Sequence, residues 1–192
     1  EKVGIRGQER FDQRCPETAE VIDGRSYPGR TAFPVGANLE HVAEPIDIVY
    51  TWLDGADPDW QRAFRTAAAK ARRSIDERAL DPARYHSRDE LKYSLRSVWA
   101  YCGWVRRIWI VTAGQRPEWL GDDPRICVVD HADILPANAL PTFNSHAIEA
   151  ALHHIEGLAE QFIYFNDDML VARSLRPETF FTANGLPLLF QS

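Results

Sequence analysis

Four short runs rich in β-branched and aromatic residues constrain this chain most: 46–52, 107–112, 126–129 and 162–166. Each is nearly continuous in apolar character and bounded by turn residues, the pattern of strands covered on both faces. Between them, apolar residues recur every three or four positions, as in helices that lie on a sheet. Alternating strands and helices predict an α/β domain with a mostly parallel sheet and flanking helices. Ligands of such sheets bind beyond the carboxyl ends of the strands. Three of the runs end in groups able to do chemistry, Asp54, Asp130-His131 and Asn166-Asp167-Asp168, and the other ends near Thr112, Gly114 and Gln115.

The helix signals are local. Asp57 followed by Pro58 reads as an N-cap with proline at the first helical position, leading into Trp60, Phe64, Ala67 and Ala71 at helical spacing, with Arg62, Arg65 and Arg72 on other faces. Ser87 to Glu90 reads as a capping box before a helix with Leu91, Leu95, Val98, Trp99 and Cys102 on its apolar face. Asn144 or Ser145 caps a third helix, with Ile148, Leu152 and Ile155 inside and Gly157 closing it. Residues 1–45 carry no clear period, include Tyr27-Pro28-Gly29 and Phe33-Pro34-Val35-Gly36, and read as a mostly irregular leader. Residues 46–192 read as one α/β domain, the part of the chain expected to carry any catalytic site.

Composition excludes several function classes. A net charge of −6 argues against general nucleic-acid binding, which needs a basic face. No run of about 18 apolar residues exists to span a membrane. Cys15, Cys102 and Cys127 form no CxxC pair, which argues against a zinc site or a disulfide framework and fits a reducing compartment. Neither a Walker loop nor a GxGxxG motif occurs.

The candidate site residues then fall into groups, each with a plain structural alternative. Asp167 and Asp168 are adjacent carboxylates after a buried strand, best tolerated around a hard cation such as Mg²⁺ or Mn²⁺, though Asn and Asp also suit any strand-to-turn junction. Trp52, Asp54 and Gly55 can set a ring near a base and a carboxylate near a ribose, or serve only as a tight turn. His146, Glu149 and His153 share one face of a continuous helix, suited to metal, phosphate or general-base work, or to plain solvation. Their spacing is not that of HExxH. Arg88, Lys92 and Arg96 form a cationic stripe that can neutralise a pyrophosphate or pair with Asp89 and Glu90.

With those blocks in view, the chain resembles the Stealth family. Ile46 to Gly55 is similar to its first signature block. Arg88 to Ser97, through Trp104-Val105-Arg106, Ile110-Val111-Thr112, Gly114-Gln115, Leu140 to Phe143 and Ile148-Glu149, to Phe162–Met169 is similar to its second. The resemblance covers roughly residues 46–181. It implies a nucleotide-sugar-transferase-like (GT-A-like) fold and a bacterial enzyme of capsule or exopolysaccharide biosynthesis. Such an enzyme moves a sugar-1-phosphate from a nucleotide diphosphosugar to a polysaccharide or glycan hydroxyl, releases a nucleoside monophosphate and needs a divalent cation.

Carried over by position, the resemblance implies Asp167 and Asp168 as the metal pair. It also implies Asp54 as the polar position of the first block and matches at Glu149, His153, His146 and Asn144. Thr112 and Gln115, with Trp52, Gly55, Arg88 and Lys92, complete the expected substrate-binding set. The family's third and fourth blocks would follow Ser192, so the domain is expected to be incomplete at its C-terminus, with weak nucleotide-sugar binding and negligible turnover on its own. The expected location is the bacterial cytoplasm, with peripheral association at the inner face of the membrane left open. Two rivals stand beside this expectation: a metal-dependent glycosyltransferase, and an inactive sugar-binding or regulatory module.

Overall fold

The computed structural model describes residues 18–29, 41–71 and 85–189 of the 192-residue chain. Cys15, the Phe33–Gly36 stretch and Arg72 lie outside the described residues. Strands β1 (Thr18–Ile22) and β2 (Arg25–Gly29) pair antiparallel. Their two-residue turn is Asp23-Gly24, both at positive φ (52° and 74°), a combination matched to the twist of a hairpin. A hairpin therefore stands inside the stretch that reads as irregular, because its pairing depends on a turn and not on a run of periodic residues.

The main sheet contains β3 (Ile46–Thr51), β4 (Ile108–Thr112), β5 (Ile126–Asp130) and β6 (Gln161–Asn166), in the order β5-β4-β3-β6. All three pairings are parallel. The expected α/β class, a parallel sheet with flanking helices in a GT-A-like arrangement, is what the chain adopts. From β3 the chain steps outward through β4 to β5, then returns to the far side of β3 for β6. That reversal makes the carboxyl ends of β3 and β6 the switch point of the sheet, the place where open α/β sheets form their ligand-binding crevice. In register, Thr51 faces Asn166, so Asp54 and Asp167 leave the sheet at the same edge.

Alternation along the strands divides the core into two layers. Ile48, Tyr50, Ile108, Ile110 and Phe165 point to one face, against Leu91, Leu95 and Val98 of α2 (Glu90–Tyr101). Val49, Trp109, Val111 and Val129 point to the other, against Ile148, Leu152 and Ile155. Each fully buried aliphatic side chain contributes about 1.5–3 kcal/mol, so these layers dominate stability. Helix α1 (Pro58–Ala71) starts as expected: Asp57 Oδ1 accepts from the amides of Asp59 and Trp60, both at 2.8 Å. Its Trp60 and Phe64 pack edge-on or tilted against Tyr85 and Phe143, ring centres 5.0–5.7 Å apart, tying α1 to two separate segments.

Three local expectations are corrected. The capping box at Ser87 does not form. Helix α2 begins only at Glu90, its N-cap Asp89 is left-handed (φ 65°), and Glu90 turns back to accept from the Arg88 amide at 2.5 Å. Trp99 leaves the apolar face of α2 and stacks at the surface under the Arg125 guanidinium, 4.2 Å away. The expected helix through 155 also breaks. Helix α4 (Ser145–Glu149) stops after barely more than one turn, and Leu152–His154 follow as a 3₁₀ turn capped by Ile155, ahead of Gly157 at φ 80°. A further short helix, α3 (His131–Ile134), follows β5 directly.

Candidate active site

At the carboxyl end of β6 the chain turns through Asn166–Met169, with the Met169 amide donating to the Asn166 carbonyl at 3.1 Å. Two serines of α2 hold this turn from behind. Ser94 donates to the Met169 carbonyl, and Ser97 Oγ accepts from the Val171 amide at 2.9 Å. Ser94 is fully buried and also bonds the Tyr50 hydroxyl at 2.8 Å. Sequence reading missed both serines. The available signal was a small polar residue three positions after Leu91, inside an otherwise apolar stripe.

The turn presents Asp167 half-buried and Asp168 exposed. Burial holds the Asp167 carboxyl above its usual range, and the charges of Asp168 and Glu90 push it the same way. A carboxylate in that setting lacks positive charge, which an oxygen-seeking cation would supply. No group of three or more His, Cys, Asp or Glu converges as a ready cage among the described residues. Two adjacent carboxylates with substrate phosphate and water completing the shell is the mode Mg²⁺ favours, so the residues present fit such an ion.

Across the crevice, the loop after β3 is built for shape. The backbone N–H and carbonyl of Asp54 are both engaged by the Gln115 side-chain amide, at 2.9 and 3.0 Å. Asp54 Oδ1 accepts from the Ala56 amide at 2.8 Å, an Asx turn. Gly55 lies so close to the Tyr85 carbonyl that a Cβ would meet its oxygen at 1.9 Å, which explains the glycine. Trp52 is only 9% exposed and packs with the α2 layer of the core. Thr112 is buried, with its hydroxyl donating to the Gln115 carbonyl at 2.8 Å. Asn144 caps α4, Oδ1 accepting from the His146 amide at 3.1 Å.

Helix α4 lies over the opposite layer and aims Glu149 at the sheet edge. Glu149 Oε1 accepts from the Tyr164 hydroxyl at 3.4 Å, while Oε2 faces His146 Nδ1 at 3.6 Å. Tyr164 also bonds Thr51 Oγ1 at 2.8 Å. His153 falls beyond the break after α4, so the helical spacing that grouped it with His146 and Glu149 does not apply. Its exposed ring packs against His154, centres 4.0 Å apart, and His154 Nδ1 lies 3.0 Å from the Ile134 carbonyl.

Of the cations, Arg88 is exposed, Lys92 sits over the Trp119 ring at 5.9 Å, and Arg96 lies over Tyr93 at 5.7 Å. At the end of β5, Asp130 closes a capping box with Asp133 around α3. Burial holds the neighbouring His131 below its usual range, keeping it neutral near pH 7.

Residues 44–71 of this chain match the family profile described as Stealth protein CR1, conserved region 1. Residues 84–189 match Stealth protein CR2, conserved region 2. The chain is 48% identical over 187 residues to an exopolysaccharide phosphotransferase of Streptomyces coelicolor, a match covering 91% of this chain and 30% of that protein. It is 50% identical over 153 residues to a capsular polysaccharide phosphotransferase of Aeromonas hydrophila, covering 77% and 41%. A capsular polysaccharide phosphotransferase of Neisseria meningitidis serogroup B is 43% identical over 188 residues, covering 93% and 48%. The chain thus spans less than half the length of each of these relatives.

Proposed function

Because the chain belongs to the Stealth family, carrying its conserved regions 1 and 2, we propose that it forms part of a polysaccharide phosphotransferase that moves a sugar-1-phosphate from a nucleotide diphosphosugar to a glycan hydroxyl. The observation that carries this reading is the placement of Asp167 and Asp168 at the crevice between β3 and β6, with Glu149 and His146 on the adjoining helix. Relatives named as capsular and exopolysaccharide phosphotransferases support it.

Asp167 and Asp168 would hold a divalent cation, which supplies charge neutralisation for the donor's pyrophosphate. The remaining work is positioning, because phosphoryl transfer needs little covalent help from protein. Ser94 and Ser97 fix the acidic turn, and the Gln115 clamp on Asp54 fixes the facing loop. Arg88 and Lys92 add positive potential beside the pyrophosphate. His146 takes the proton of the attacking hydroxyl as general base. The Glu149 contact favours His146 over His153 for that role. The leaving group is the nucleoside monophosphate.

Product analysis of the intact natural protein with a nucleotide diphosphosugar and a glycan acceptor tests this. A nucleoside monophosphate is the expected product, whereas a nucleoside diphosphate would establish glycosyl transfer in its place. Metal-dependent donor binding with no turnover in the intact protein would establish a binding module. Asp167→Asn and Asp168→Asn should each lower transfer at least about 10²–10³-fold, as loss of one charge-stabilising group does. Both variants at normal activity would remove the metal assignment.

A further inference from the structure

Tyr164 links the carboxyl ends of β3 and β6 to helix α4 through its hydroxyl. It lies in β6 opposite Val49 of β3, and Thr51, two residues along, shares its face of the sheet. Its hydroxyl meets Thr51 Oγ1 at 2.8 Å and Glu149 Oε1 at 3.4 Å. A phenol has a single proton to donate, and a carboxylate can only accept. The Tyr164 proton therefore points to Glu149, and the Thr51 hydroxyl donates to the phenol oxygen.

From this arrangement we infer that Tyr164 is a positioning residue for the transfer reaction, holding the Glu149 carboxylate so that its second oxygen faces His146. The inference rests on the function proposed above. Burial and the nearby charges of Glu149 and Asp167 hold the phenol above its usual range, so the hydroxyl keeps its proton throughout the neutral pH range. Helix α4 is too short to fix Glu149 by itself, with only Ser145–Glu149 helical and Glu149 as its last residue. A side chain at a helix end is held to one rotamer by an outside partner, and the sheet edge provides it. The Thr51–Tyr164–Glu149–His146 chain thus carries the geometry of the β3–β6 pair to the imidazole.

The test is a double-mutant cycle in the intact natural protein, following nucleoside monophosphate release. Tyr164→Phe keeps the ring and removes only the hydroxyl. It should lower kcat roughly 10–100-fold, as loss of an outer partner of a reacting group does. KM for the nucleotide sugar should stay within about threefold, because donor binding is untouched. In a Glu149→Gln background the same change should add nothing further. Thr51→Val should lower kcat about two- to tenfold, the fold-change that one neutral hydrogen bond carries, and it covers the case in which Tyr164→Phe folds poorly. Full kcat in Tyr164→Phe, full kcat in Thr51→Val, or losses that multiply in the double variant would each overturn the inference while the wild type remains active. A wild type without transfer would overturn both this inference and the function beneath it.

Discussion

The two ends of the same sheet treat an aspartate in opposite ways. At the amino end, Asp47 in β3 is fully buried, yet five donors surround it. Arg106 Nε and Nη2 approach at 2.8 and 2.5 Å, Trp109 Nε1 at 2.8 Å, and the amides of Arg107 and Ala159 at 3.1 and 2.9 Å. Burial alone would raise its carboxyl, but the hydrogen bonds from Arg106, Trp109 and Ala159 outweigh it and hold the group below its usual range. At the carboxyl end, Asp167 is half-buried with Asp168 and Glu90 for neighbours and is pushed the other way. One carboxylate joins β3, β4 and the 157–159 loop into a unit. The other is left beside two further carboxylates. The comparison separates residues that hold the fold from residues that the fold holds in an unfavourable state for use.

Substituting Asp47→Asn should give the largest change. The new amide turns a donor toward Arg106 and Trp109 and leaves the guanidinium without its counter-charge. Breaking a fully buried pair costs about 3–5 kcal/mol, and the partly exposed Arg106 sets the expected loss at the lower end of that range, to be read by urea denaturation. A loss below about 1 kcal/mol would show that the five contacts are decorative, and the contrast between the sheet ends would fall.

Acid titration sharpens the same contrast. The folded-state value of Asp47 is depressed, so its contribution is complete above the ordinary aspartate range near about 3.9 and is lost as pH falls through the lower folded value. The stability gap between wild type and Asp47→Asn should therefore be constant near neutrality and narrow below about pH 4. A gap unchanged down to strong acid would mean that the ionised form is not what stabilises.

The smallest effect should come from Asp167→Asn, and with the opposite sign. A raised folded-state value means the contribution to stability is present below the ordinary aspartate range and lost as pH rises through the folded value. Ionised Asp167 is thus a liability at pH 7 without metal. Removing its charge should raise the metal-free melting midpoint, by less than Asp47→Asn lowers it, while transfer is lost. A lower midpoint would show that the turn needs the charge, contrary to its surroundings.

Much of this architecture was legible in the residues. The four apolar runs became the four strands within a residue or so, and Asp57-Pro58 started α1 where its side chain and proline dictate. What misled were short-range signals with competing partners. Ser87 and Glu90 have capping-box spacing, but Glu90 bonds the Arg88 amide and the helix starts later. Ile148, Leu152 and Ile155 keep helical spacing and are all buried, yet burial at that spacing is also met by one short helix followed by a 3₁₀ turn. Asp47 passed as one polar residue in a strand, since the donors that satisfy it lie about 60 and 112 positions away.

By itself the sequence determined the α/β class, the strand ends, the position of the acidic pair after β6 and the family. These depend on local periodicity, on turn chemistry and on contiguous blocks, all of which are written along the chain. Only the tertiary structure decided that Asp54 and Asp167 share an edge, that Gln115 clamps Asp54, that Ser94 and Ser97 brace the acidic turn, and that Tyr164 joins Thr51 to Glu149. Each of those is a contact between residues brought together by strand order and register, and a hydrogen bond of about 3 Å has no counterpart in sequence distance.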